Sequence, residues 1–188
     1  MNMIAIIDYG SGNLASVEKA LHGVVTSDPY KIDMADKIVF PGAGSFSAAV
    51  SGIKNIRDII IEKIRNGTPY LGICLGLEIL FSESEEGPGT GLSFFNERLK
   101  RFKKGIHMGW NTVEFNDNII FSGIKKGEYF YFVHRYYAPL GSYTCGKTFF
   151  NGYFTSFINI NNIYAVQFHP EKSGEPGLKL LRNFGELA

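Results

Sequence analysis

The sequence predicts an α/β fold, with a mainly parallel sheet flanked by helices and added antiparallel strands in its second half. Two observations carry this reading. In the first eighty residues, short apolar runs alternate with segments whose apolar residues recur at helical spacing. Beyond about Ile106, aromatic and β-branched residues cluster between turns instead. Met3 to Asp8 is a continuous apolar run that ends in Tyr9-Gly10-Ser11-Gly12-Asn13, and Leu14, Val17, Leu21 and Val24 then follow a helical period. Lys37 to Phe40 is a second buried strand, broken by Pro41-Gly42-Ala43-Gly44-Ser45. A helix is expected over Ile53 to Ile64, a third strand over Pro69 to Ile73, and a helix from Cys74 through Leu80. Runs of this kind, buried on both faces and joined by helices, belong to parallel sheets. Glu128 to Val133 and Lys147 to Phe150 read as short antiparallel strands, Ile163 to Phe168 as another buried strand, and Gly177 to Leu187 as an amphipathic closing helix. Without a repeat or linker, the 188 residues are expected to form a single domain, 1–188.

Composition narrows the function classes. A formal net charge of +1 argues against nucleic-acid binding, and Lys100-Arg101-Phe102-Lys103-Lys104 reads as a solvated face. Two cysteines, Cys74 and Cys145, make no disulfide framework and suit a reducing compartment. Met1 to Ile7 lacks a basic n-region and a cleavage site, so a cytoplasmic protein without a membrane partner is expected. His22, His107, His134 and His169 show no metal-ligand spacing, and no metal or cofactor is implied.

The sharpest chemical feature is Gly72-Ile73-Cys74-Leu75-Gly76. A residue between a strand end and a helix start, with glycine two positions to either side, sits on a tight turn that lifts its side chain above the sheet. A helix N-terminus at that point stabilises a thiolate, and its free N–H groups, above all that of Leu75, suit an oxyanion. A buried core cysteine is the plainer reading of Cys74 alone. Gln167-Phe168-His169-Pro170-Glu171 is the second feature. His169 and Glu171, two apart in extended chain, point the same way, and a carboxylate beside an imidazole fixes its tautomer. Together with Cys74 they form a candidate Cys–His–Glu triad at the carboxyl ends of strands.

These two motifs and their separation resemble the class I, triad-type glutamine amidotransferases. Asp8 to Leu14, Pro41 to Gly44, His107-Met108-Gly109-Trp110-Asn111, Tyr131 to His134 and Phe168 to Gly174 narrow the resemblance to one branch. Its members are glutaminase subunits of a synthase in histidine biosynthesis. The resemblance implies a flavodoxin-like sheet and a glutaminase in which Cys74 attacks the glutamine side-chain amide, His169 relays the proton and Glu171 orients His169. It implies that the Pro41–Gly44 loop, with Ala43 and Gly44, faces Cys74, and that the Ala43 N–H joins that of Leu75 at the oxyanion. Glu86 matches a carboxylate that meets the substrate α-amino group, although an acidic loop explains it as well. A (β/α)8-barrel cyclase subunit is the implied heterodimer partner and receives the ammonia. Asn13, Tyr131 and Lys172 match positions near that interface. Trp110, in a Gly-Trp-Asn turn, reads more readily as a structural anchor.

Three positions depart from the family pattern. Glu78 stands where a substrate-holding glutamine is usual; it cannot donate unless protonated, and its charge would oppose thiolate formation from one helical turn away. Arg135 follows His134 in place of a small hydroxyl residue, and Cys145 replaces an aromatic. A paralogous subunit feeding another barrel partner, or a catalytically silent binding subunit, would also fit these departures. A binding module cradling phosphate on Gly10-Ser11-Gly12-Asn13 fits less well, because that loop lacks the P-loop lysine.

Overall fold

The computed structural model describes residues 3–187. In chain order its elements are β1 (Ile4–Ile7), α1 (Leu14–Leu21), β2 (Val24–Thr26), α2 (Pro29–Asp33), β3 (Lys37–Phe40), α3 (Phe46–Gly52), α4 (Arg57–Arg65), β4 (Tyr70–Ile73) and the single turn α5 (Leu75–Glu78). They continue with β5 (Phe81–Ser84), β6 (Phe95–Arg101), β7 (His107–Thr112), β8 (Glu114–Phe115), β9 (Tyr129–His134), β10 (Tyr136–Tyr137), β11 (Thr144–Phe149), β12 (Tyr153–Ile160), β13 (Ile163–Val166) and α6 (Gly174–Gly185).

The main sheet has eight strands in the order β2-β1-β3-β4-β13-β12-β11-β8. From β2 to β13 every pairing is parallel, and β12, β11 and β8 add antiparallel strands at one edge. The parallel part is the flavodoxin-like order, whose ligand crevice lies beyond the carboxyl ends of the strands. Alternation along each strand divides two cores between the faces. Ile38 and Phe40 pack with α3 and α4 on one side, while Val39 packs with α1 and α6 on the other. Strands β10, β6 and β5 form a small second sheet, and β7 pairs antiparallel with β9.

Several expected boundaries shift, each for a local reason. Val24 belongs to the edge strand β2, because α1 stops at Leu21 with His22 in the left-handed region. The helix expected from Ile53 starts at Arg57; Ile53 and Ile56 are buried in the turn before it, and α3, capped by the Ser45 side chain, precedes that turn. The helix after Cys74 ends at Glu78 rather than Leu80. The Ile79 and Leu80 carbonyls accept from the Leu92, Phe94 and Phe95 amides of the returning chain, which prevents further helical turns. Strand β12 was absent from the expected elements. The closing helix begins at Gly174, not Gly177, and ends at Gly185.

Candidate active site

Four carboxyl-end loops of the parallel sheet converge: Tyr9 after β1, Pro41 to Gly44 after β3, Cys74 after β4, and Gln167 to Glu171 after β13. The last three of these bound a cavity of about 420 Å3 lined by Gly42, Ala43, Gly44, Cys74, Leu75, Glu78, Glu86, Ile106, Val133, His134, Arg135, Tyr136, His169 and Lys172. Ala43, Gly44, Leu75, Glu78 and Glu86 line the same cavity as Cys74 and His169, and so does Lys172, a residue expected at the partner interface.

Cys74 occupies φ 49° and ψ −100°, a strained conformation for a non-glycine residue. Close backbone packing holds it. A Cβ on Gly76 would stand 2.2 Å from the Phe40 carbonyl oxygen, and one on Gly42 would stand 2.6 Å from the Cys74 Cβ. The Cys74 N–H donates to the Val166 carbonyl at 2.7 Å, tying the turn to β13. Its sulfur lies 3.7 Å from Gln167 Nε2 and 4.0 Å from the Val133 carbonyl oxygen. The expectation of a dipole-stabilised thiolate is reversed in this state. A four-residue α5 supplies little dipole, while burial and then the Glu78 and Glu171 carboxylates push the thiol well above its usual range.

His169 Nδ1 lies 2.8 Å from Glu171 Oε1, with both side chains almost wholly buried. Since the carboxylate only accepts, Nδ1 carries the proton and Nε2 is left to serve as a base. The loop is fixed by its backbone: the His169 N–H donates to the Tyr131 carbonyl, the Ser173 hydroxyl to the His169 carbonyl, and the Tyr131 N–H to the Ser173 hydroxyl oxygen. Glu171 Oε2 is buried without a hydrogen-bond partner among the described residues.

Glu78 corrects a second expectation. Expected to carry a charge that opposes the thiolate, it is instead 5% exposed, and its Oε1 accepts from Gln167 Nε2 at 2.9 Å. Burial pushes its carboxyl up to about 8, against the Gln167 hydrogen bond, so at neutral pH it is mostly uncharged and able to donate. Glu86 lines the cavity but also accepts from the Phe46 N–H at the start of α3, a capping bond that supports its structural reading. Trp110 is no buried anchor. It lies on strand β7, is 57% exposed, and meets the half-buried Tyr131 edge-on at 5.9 Å. Asn13 precedes α1, where its side-chain oxygen accepts from the Ser16 hydroxyl. Arg135 is an exposed residue of the cavity wall, and Cys145, which does not line the cavity, approaches the Asn159 carbonyl with its Sγ.

Sequence reasoning gave no role to Tyr9, Gln167 or the His107–His134 pair. The two imidazoles are joined at 3.0 Å, and the network fixes their tautomers. The Tyr136 carbonyl requires a proton on His134 Nδ1, so His134 Nε2 accepts from His107 Nδ1, and His107 Nε2 accepts from the Asn111 amide. Burial lowers His107 to about 4 and His134 to about 3. Because the folded state resists protonation that an unfolded imidazole accepts near pH 6.5, these residues withdraw stability as pH falls from 6.5 toward 3–4. Imidazole NMR titration is expected to find both rings still neutral at about pH 5; a charged ring there would contradict the network.

The sequence matches the family described as glutamine amidotransferase class-I over residues 6–187, and the chain belongs to that family. Among curated relatives it is 52% identical to the imidazole glycerol phosphate synthase subunit HisH of Thermococcus kodakarensis, over 98% of this chain and 100% of that protein. It is 51% identical to the subunit of the same name from Pyrococcus furiosus, over the full length of both. Among solved structures, PurLQS from Thermotoga maritima superposes with a TM-score of 0.73 at 17% identity, covering 98% of each chain, which supports the fold. No described helix is long and apolar enough to cross a membrane.

Proposed function

We propose that this chain is the single-domain glutaminase subunit of a cytoplasmic imidazole glycerol phosphate synthase, passing ammonia to a (β/α)8-barrel cyclase subunit. The observation that carries the chemistry is the cavity shared by the strained Cys74 and by His169, whose Nδ1 is held by Glu171. The full-length similarity to synthase subunits supports the pathway over a paralogous one.

In this reading glutamine binds with its side-chain amide over Cys74. The thiol proton passes to His169 Nε2 as sulfur attacks the amide carbon, and the resulting oxyanion is held by the Leu75 and Ala43 N–H groups. The imidazolium, steadied by Glu171, returns its proton to the nitrogen; the C–N bond breaks and ammonia leaves. Water, deprotonated by His169, then cleaves the γ-glutamyl thioester and regenerates the thiol. Glu78 in its neutral form and Glu86 hold the substrate, with Glu86 meeting the α-amino group. Asn13 borders the barrel partner, as do Tyr131, beside the exposed Trp110, and Lys172, on the cavity wall.

The test combines intact mass with turnover. A glutamine-mimicking electrophile should add once, at Cys74, and glutamate release should be slow for the chain alone and rise with barrel partner plus acceptor. No adduct with partner present would identify a silent subunit, and equal release in all states a free-standing amidase.

A further inference from the structure

Ala43 lines the cavity, yet its N–H is already engaged. It donates to the Tyr9 hydroxyl oxygen at 2.9 Å, and the same hydroxyl lies 2.6 Å from the Ala43 carbonyl oxygen, to which it donates. A second carbonyl, that of Pro41, lies 3.2 Å away. One phenol thus clasps both ends of the Ala43 residue, as acceptor and as donor. We propose that Tyr9 is a positioning residue that latches the Pro41–Gly44 loop in a resting orientation, with the Ala43 N–H held away from the oxyanion.

The phenol is well placed for this. Tyr9 is 6% exposed and stacks on Phe40 at 4.9 Å, so the ring cannot follow the loop if the loop turns. Burial raises its hydroxyl to about 12, so it remains a neutral donor at working pH. The Ala43 N–H lies in the Gly42–Ala43 peptide, and Gly42, which lacks a Cβ, lets that peptide turn. An N–H committed to Tyr9 cannot also stabilise a tetrahedral oxygen on the Cys74 adduct. Of the two donors assigned to the oxyanion, the Leu75 N–H, which acts on the Cys74 sulfur, is then the one left. Since one missing oxyanion donor lowers turnover by about 10²–10³, the clasp suffices to keep the Cys74 site slow. The latch rests on the proposed glutaminase reading and names the residue that restrains it.

Tyr9→Phe keeps the stacked ring and removes the hydroxyl, leaving the resting orientation with an unpartnered N–H. Basal glutamate release by the isolated variant should rise about tenfold, and the activation ratio on adding barrel partner and acceptor should fall by a similar factor. The ratio is internal to each protein, so partial loss of folded material does not mimic it. If the variant fails to fold, hydrogen exchange on the unmodified chain decides. The Ala43 amide should be protected in isolation and exchange faster with partner and acceptor bound and glutamine absent. A wild-type chain that is activated normally, with basal release unchanged in Tyr9→Phe or Ala43 exchange insensitive to the partner, overturns the latch. A wild-type chain that never releases glutamate and resists the electrophile instead overturns the glutaminase reading beneath it.

Discussion

Cys74→Ala is expected to abolish glutamine-dependent synthesis by the complex while leaving ammonia-dependent synthesis nearly intact. The thiol acts only on glutamine, whereas the acceptor site lies on the partner, so the two activities separate cleanly. Removing a nucleophile from a triad lowers turnover by roughly 10³–10⁶. His169→Ala should approach the same loss, because His169 is the base assigned to take the thiol proton in the cavity it shares with Cys74. Glu171→Ala should be milder in rate, since Glu171 orients and stabilises rather than transfers. It nonetheless strips the partner from a buried imidazole at 2.8 Å, so a stability loss should accompany it. Steady-state glutamate release, ammonia-supported turnover and thermal melting separate these effects. Comparable glutamine use by Cys74→Ala would remove Cys74 as nucleophile, and a greater rate loss in Glu171→Ala than in His169→Ala would exchange the two assigned roles.

The parts of this site legible in the sequence are those set by short-range geometry. Glycines flanking Cys74 at a strand end announce a sharp turn, and the structure shows why they are needed: Gly76 leaves no room for a Cβ against the Phe40 carbonyl. The two-residue spacing of His169 and Glu171 likewise brings imidazole and carboxylate together. Tyr9 was illegible because its contact with Ala43 spans 34 residues and exists only because β1 and β3 are neighbours in the sheet. The same holds for the His107–His134 pair, which needs the β7–β9 register. Strand β12 escaped notice because Thr155 and Ser156 look outward-facing, whereas both are wholly buried and satisfied by Pro139, Thr144 and Thr148. The length of α5 was set by amides returning from Leu92 and Phe94, which no local pattern encodes.

Glu78→Gln is expected to stabilise the protein increasingly between about pH 4.5 and 8, and to speed Cys74 alkylation only on the alkaline side. Burial raises the Glu78 carboxyl to about 8 from an ordinary 4.5, so the folded state holds a proton that the unfolded chain releases. The sign follows: the stability associated with protonated Glu78 is fully present below pH 4.5 and is lost as pH rises toward 8. Glutamine has no proton to lose and keeps an oxygen for the Gln167 amide, which now bonds Glu78 at 2.9 Å. The stability gap between variant and wild type should therefore be small near pH 4.5, widen to on the order of 5 kcal/mol by about pH 8, and then level off. Reactivity follows the same ionisation. At pH 6–7 wild-type Glu78 is largely neutral, so a neutral alkylating agent should modify both proteins at similar rates, and the Michaelis constant for glutamine should change little. Near pH 9 the ionised carboxylate opposes the thiolate in the wild type alone, and the variant should react about tenfold faster. Denaturant midpoints and alkylation rates across pH 4.5–9.5 measure both curves. A gap in stability that is constant with pH, or parallel alkylation profiles, would show that Glu78 is ionised throughout, and the substitution would then act on the substrate contact rather than on the charge beside Cys74.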